Sequence, residues 1–137
     1  MPNLPTPTLG LAVPSVGSDV NQWGGELNSD LAIIDNLGDF PLLIVAASGT
    51  LAFSNVPETI IEAFGGAGGI TLNLPIGIPA GINRSFVIKK MDATNGIVAV
   101  NALVSTIDGS SSYDLFNQYQ YLRVLWDGSQ WIVIGNN

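Results

Sequence analysis

Residues 70–100, ITLNLPIGIPAGINRSFVIKKMDATNGIVAV, limit what this chain can fold into more than any other stretch. They open on a period-2 run: Ile70, Leu72 and Leu74 face one way, Thr71 and Asn73 the other. That is the pattern of a half-buried β-strand. Pro75 ends it, because proline has no N–H for a ladder. A loop holding Pro75, Gly77, Pro79 and Gly81 follows. Strand character resumes at residues 85–90, with Phe86 and Ile88 on one face and Val87 and Lys89 on the other. Lys89 and Lys90 read as ordinary exposed lysines. Residues 92–96 carry turn chemistry, and residues 97–100 are a β-branched strand. Strand, wide loop, strand, turn, strand predicts an all-β domain.

The flanking segments agree. LLIVAA (residues 42–47) is short and strand-like, and ETIIEAF (residues 58–64) is a further strand. The glycine cluster at residues 65–69 lacks the helix and the Lys-Ser/Thr pair of a phosphate loop, and it reads as a hairpin loop. Residues 115–126 read as one long strand. Asp127-Gly128 is the strongest hairpin signal, with residues 131–134 as its return strand. Short strands separated by Gly, Pro and Asn predict an antiparallel β-sandwich or barrel-like domain over residues 41–137. No solenoid repeat is visible.

Residues 1–40 differ. Pro2, Pro5, Pro7 and Pro14 make residues 1–17 an extended arm. Its Leu4, Leu9, Leu11 and Val13 have nothing local to bury against, which favours an arm laid along a partner over a disordered one. One short helix follows. Asp19 and Gln22 fit a capping box, and Val20, Trp23, Leu27, Leu31 and Ile34 form one apolar stripe. Gly38 and Pro41 close the element. The stripe can serve as an anchor or pack on the β-domain.

Two stretches carry a resemblance. Thr71 to Pro75 (TLNLP), Ile88 to Asp92 (IKKMD), Thr106 to Gly109 (TIDG) and Asp127 to Trp131 (DGSQW) occur in the order found in small bacteriophage fibre and receptor-binding proteins. Trp23-Gly24-Gly25-Glu26-Leu27-Asn28 resembles the W-G-x-x-L-N helix at the start of such fibres. The resemblance implies a virion structural protein: a fibre, spike or whisker, assembled as a homotrimer. It implies that residues 1–40 attach to other phage structural proteins, with Trp23, Leu27, Leu31 and Ile34 as the anchor. It says nothing about an active site. Two other functions stay open, a receptor-recognition module for a host-surface glycan and a capsid-decoration protein.

Composition narrows the field further. Charged residues are 11% of the chain, against about 25% in ordinary soluble domains, while apolar residues are 47%. A chain with so few charges is expected to hide surface against copies of itself. The net charge of −7 lies wholly ahead of Arg84, the first basic residue. Nucleic acid is therefore not an expected partner, since phosphates need basic patches. No apolar run reaches the roughly 18 residues of a membrane span, and no basic segment opens a signal peptide. The fibre resemblance implies localisation in a virion.

Catalysis has little to work with. There is no His and no Cys, which removes the usual general base and the thiol nucleophile. Asp108 and Asp114 flank a polar loop and are the one carboxylate pair that glycoside hydrolysis could use, but Asp108-Gly109 reads first as a turn. Residues 92–95 have too few acids for calcium. No enzyme activity, cofactor or metal is expected. Tyr113, Tyr119 and Tyr121 are candidate glycan contacts, with Asn117, Gln118 and Gln120 as hydrogen-bonding neighbours. Packing in the core or between subunits is the stronger reading for these rings.

Overall fold

A computed structural model describes residues 4–5, 12–13, 23–36, 40–53 and 56–137. The chain divides into two compact units, Met1–Asp39 and Phe40–Asn137. In the first, β1 (Leu4–Pro5) and β2 (Ala12–Val13) pair antiparallel, with Leu4 opposite Val13. Helix α1 spans Trp23–Asn36. The capping box at Asp19 and Gln22, the rest of the arm, and Gly38 lie outside the described residues.

The second unit is all β. Its strands are β3 (Leu42–Val45), β4 (Gly49–Thr50), β5 (Glu58–Ala63), β6 (Ile70–Asn73), β7 (Ser85–Lys90), β8 (Val98–Asn101), β9 (Ser112–Leu115), β10 (Tyr121–Trp126) and β11 (Trp131–Asn136). They form two open sheets. Sheet I has the order β11-β10-β7-β5-β3 and sheet II the order β4-β6-β8-β9.

Strand direction departs from the antiparallel expectation. In sheet I, β3, β5 and β7 are parallel, which stacks Leu43, Ile61 and Ile88. In sheet II, β4, β6 and β8 are parallel, which stacks Gly49, Leu72 and Val100. Antiparallel pairing is confined to β7–β10, β10–β11 and β8–β9. Both sheets are therefore mixed. From β3 to β8 the chain alternates between the sheets and returns one strand further along each time. The glycine loop at residues 65–69 thus joins β5 of sheet I to β6 of sheet II and is not a hairpin. The winding is coil-like, but its connections at residues 51–57 and 74–84 differ in length, so no fixed period marks the sequence.

The core lies between the sheets. Sheet I contributes Ile61, Ala63, Ile88, Leu122 and Val124, and sheet II contributes Leu72, Val98, Val100 and Leu115. Each comes from the inward half of a period-2 strand. Trp131 is wholly buried; Phe86 meets it edge-on at 5.8 Å between ring centroids, and Trp126 lies 5.3 Å from it. Each large side chain buried here contributes about 1.5–3 kcal/mol.

The long strand expected over residues 115–126 is broken. Gln120 Oε1 accepts the N–H groups of Phe116 at 2.7 Å and Asn117 at 3.2 Å. Gln120 N–H in turn donates to Asn117 O, and Tyr119 takes φ of +66°. A carboxamide makes this turn, with no Gly or Pro to announce it. The Asp127-Gly128 hairpin forms as expected: Asp127 Oδ1 accepts from Ser129 and Gln130 N–H, both at 2.8 Å, and Gly128 has φ of +104°.

Candidate functional site

Because the inner faces share one core, alternate residues of every strand face outward, and the two outer faces differ in chemistry. On sheet I the register sets Leu42, Ile60, Val87 and Arg123 in one row. Ile44, Glu62, Lys89 and Tyr121 form the next. Leu42 is 54% and Ile44 71% exposed. The charges of this face balance: Arg123 Nε donates to Glu58 Oε2 at 2.6 Å, and Glu62 stands beside Lys89. Ser85 Oγ also donates to Glu58 Oε2 at 2.6 Å, so this carboxylate links three strands. Strand β3 is the sheet's edge. Pro41 O and Val45 O accept from β5, so the alternation of a parallel ladder turns the N–H and C=O of Leu42 and Ile44 away from it.

Sheet II presents Thr50, Asn73, Asn101 and Ser112 in one row and Thr71, Ala99 and Asp114 in the other. Asn73 Nδ2 donates to Thr50 Oγ1 at 3.4 Å, and Thr71 N–H donates to Ser48 Oγ at 2.9 Å. No large apolar side chain stands in either row. A shallow groove of about 550 Å³ crosses this face, lined by the backbone of Gly68 and Gly69 and by Ser48, Thr71, Asn95 and Asp114.

Loops 64–69 and 91–97 lock together at one corner. Lys90 is wholly buried, which corrects its reading as an exposed lysine. The alternation that buries Phe86 and Ile88 carries Lys90 inward as well. Its Nζ pairs with Asp92 Oδ1 and donates to Asp92 O at 3.0 Å and Thr94 O at 3.1 Å. Asp92 Oδ2 accepts Gly66 N–H at 2.6 Å, and Thr94 Oγ1 donates to Gly66 O at 2.6 Å. The Lys90 hydrogen bond, with those of Gly66 and Thr94, holds the Asp92 carboxyl below its ordinary value. Gly96 closes the corner: a Cβ there would stand 1.9 Å from Gly66 O.

The expected site residues are dispersed. Trp23, Leu27, Leu31 and Ile34 all fall in α1, where Leu31 and Ile34 are exposed; the side chains of Trp23 and Leu27 lie outside the described residues. Tyr113 packs against the core, and its hydroxyl accepts from Asn136 Nδ2 at 2.7 Å. Tyr119 is exposed in the turn before β10, with Lys89 Nζ 5.4 Å from its ring centroid. Tyr121 begins β10 opposite Lys89. Tyr119 and Tyr121 are thus neighbours around Lys89, while Tyr113 belongs to the interior of sheet II. Asp108 sits in a turn with φ of 47°, where its Oδ1 accepts Val133 N–H at 3.2 Å, and Asp114 stands on the outer face of sheet II. Among the described residues no three His, Cys, Asp or Glu side chains gather to hold a metal, and no helix is long and apolar enough to cross a membrane.

The outer face of sheet I was the feature missed by sequence reasoning. Its signal was present in residues 42–44, an apolar run with no polar alternate. Compared with known proteins, the chain matches no family model and no curated sequence.

Proposed function

We propose that this chain is a non-enzymatic structural protein of a bacteriophage virion, a short fibre, spike or whisker assembled from copies of itself. The outer face of sheet I carries this reading. It sets Leu42 and Ile44 in solvent beside Ile60 and Val87, while its two acids and two bases cancel. Because the charges of this face cancel, copies meet across it without local like-charge repulsion. Self-association through this face buries the apolar rows and covers the open edge of β3. The two sheets then act as the layers of a sandwich. The number three, the virion and the division of labour between residues 1–40 and 41–137 rest on the resemblance of the fibre motifs. In this reading Trp23, Leu27, Leu31 and Ile34 dock the first part on other phage structural proteins.

Light scattering on the full chain at micromolar concentration tests the association. A trimeric mass is expected, and a monodisperse mass near 14.3 kDa overturns the proposal. Attachment has its own test. A chain beginning at Pro41 should keep its melting transition and fail to join virions, whereas equal incorporation of both chains removes the role given to residues 1–40.

A further inference from the structure

The turn before β10 borders a second groove, of about 290 Å³, lined by Asn117, Gln118, Gln120 and Asn137. All four side chains are neutral carboxamides, and three are fixed by a bond made with one half of the group. Gln120 Oε1 accepts the N–H groups of Phe116 and Asn117, so its own N–H donors are not spent on these bonds. Gln118 Nε2 donates to Met91 O at 3.1 Å, which leaves its Oε1 as an acceptor. Asn137 Oδ1 accepts Tyr121 N–H at 2.8 Å, which leaves its Nδ2 as a donor. The side chains of the groove therefore offer donors and acceptors side by side, pre-oriented and uncharged. Two half-exposed rings, Phe116 and Tyr119, leave the same turn. Tyr119 is a non-glycine residue held at φ of +66°, a conformation uncommon for a bulky side chain.

From this arrangement we infer that residues 116–120 with Asn137 form a binding site for a neutral saccharide. Sugar hydroxyls both donate and accept, which matches paired carboxamide halves, and sugar C–H faces stack on exposed aromatic rings. The groove has no apolar pocket for a lipid or an aromatic ligand. It has no basic cluster for a phosphorylated one, Lys89 beside Tyr119 being a single cation.

The test is an NMR titration of the ¹⁵N-labelled full chain with maltohexaose, chitotetraose and mannotriose, each to millimolar concentration. Shifts are expected for at least one sugar in the side-chain amides of Asn117, Gln118, Gln120 and Asn137. Tyr119→Asn keeps a residue tolerant of positive φ and removes the ring; affinity should fall about tenfold. Gln118→Leu removes the free acceptor together with the bond to Met91 O, keeps the Gln120 bonds to Phe116 and Asn117, and should weaken binding. No shift with any of the three sugars overturns the inference. So do shifts confined to the other groove, at Ser48, Thr71 and Asp114, or an affinity indifferent to both substitutions. Oligomeric mass is a separate readout, so failure here leaves the assembly proposal standing.

Discussion

Sheets I and II bury the same kind of residue inward and present opposite chemistry outward. Sheet II shows threonine, asparagine, serine, alanine and one aspartate in its two rows. Sheet I shows leucine, isoleucine and valine around a balanced set of charges. Both alternate with period 2, so periodicity alone gives each strand a core side and says nothing about what the other side meets. The difference teaches that the outward half of the pattern holds the functional information. A half-buried strand needs polar outward residues only when water is its neighbour. Sheet II obeys that rule, and sheet I breaks it at β3, the edge of the sheet among the described residues.

The sharpest way to break this comparison is to place the same charges on each face. The double change Leu42→Lys, Ile44→Lys puts two ammonium groups on sheet I, where burial against a second copy would desolvate them at a cost of several kcal/mol. The expected outcome in light scattering is a fall to monomer mass. Thr71→Lys, Asn73→Lys adds equal charge to sheet II and should leave the mass unchanged. Both doubles reduce the net negative charge by two from −7, so dissociation by the first alone cannot come from general repulsion. Equal behaviour of the two variants would falsify the assignment of the interface to sheet I.

The next effect acts on both faces together. Gly96→Ala forces a methyl group against Gly66 O at 1.9 Å and Gly69 N at 2.5 Å, both backbone atoms that have no rotamer to yield. The loss expected is about 3 kcal/mol, at the upper end for overpacking. Thermal unfolding measures it, and a wild-type midpoint would show that loops 64–69 and 91–97 do not dock as described.

That corner also marks how far sequence reading went. Alternation located β6 and β7 and the side of each that meets the core, while β5 and β8 read as strands by their composition alone, with no face assigned. The same alternation, carried one residue further, buries Lys90, yet a lysine at a strand end reads as solvated because its unpaired burial is costly. The partner that offsets this cost, Asp92, sits only two residues on and reads as turn chemistry. Strand direction was not legible, since period 2 assigns faces and not neighbours. A glycine turn crossing to the other sheet also has the composition of one doubling back. The break at residues 116–120 was hidden for another reason. Its cap is the Gln120 carboxamide, a residue type with no turn signature.

Acid should reveal the corner without a mutation. The Asp92 carboxyl is lowered in the folded chain, chiefly by the Lys90 hydrogen bond, so between its folded and unfolded values the unfolded chain binds more protons. Stability from this group is present above the ordinary carboxylate value of about 4 and is lost as pH falls through the lower folded one. The melting midpoint should therefore fall below about pH 4, and less steeply in Asp92→Asn. Asp127, lowered by the N–H groups of Gln130 and Ser129, contributes in the same direction from the hairpin turn. Equal slopes in the wild type and Asp92→Asn would assign acid sensitivity elsewhere.

The smallest effect separates the sheets instead of joining them. Gly128→Val acts at φ of +104°, which a β-branched residue adopts only under strain, and no atom within 4 Å opposes a Cβ there. The cost is thus one of backbone conformation without a clash, about 1 kcal/mol or somewhat more. In a unit of this size that lowers the melting midpoint by roughly 4–8 °C. Its location is the more telling readout. The hairpin joins β10 to β11 at the far edge of sheet I; towards sheet II, Trp131 bridges Ile107 in the β8–β9 connection and Asn136 donates to Tyr113 of β9. Amide exchange should quicken in β10 and β11 while β6 and β8 keep their protection. Equal quickening in both sheets would mean that they open as one unit, so that the two outer faces, unlike in chemistry, cannot be uncoupled in stability.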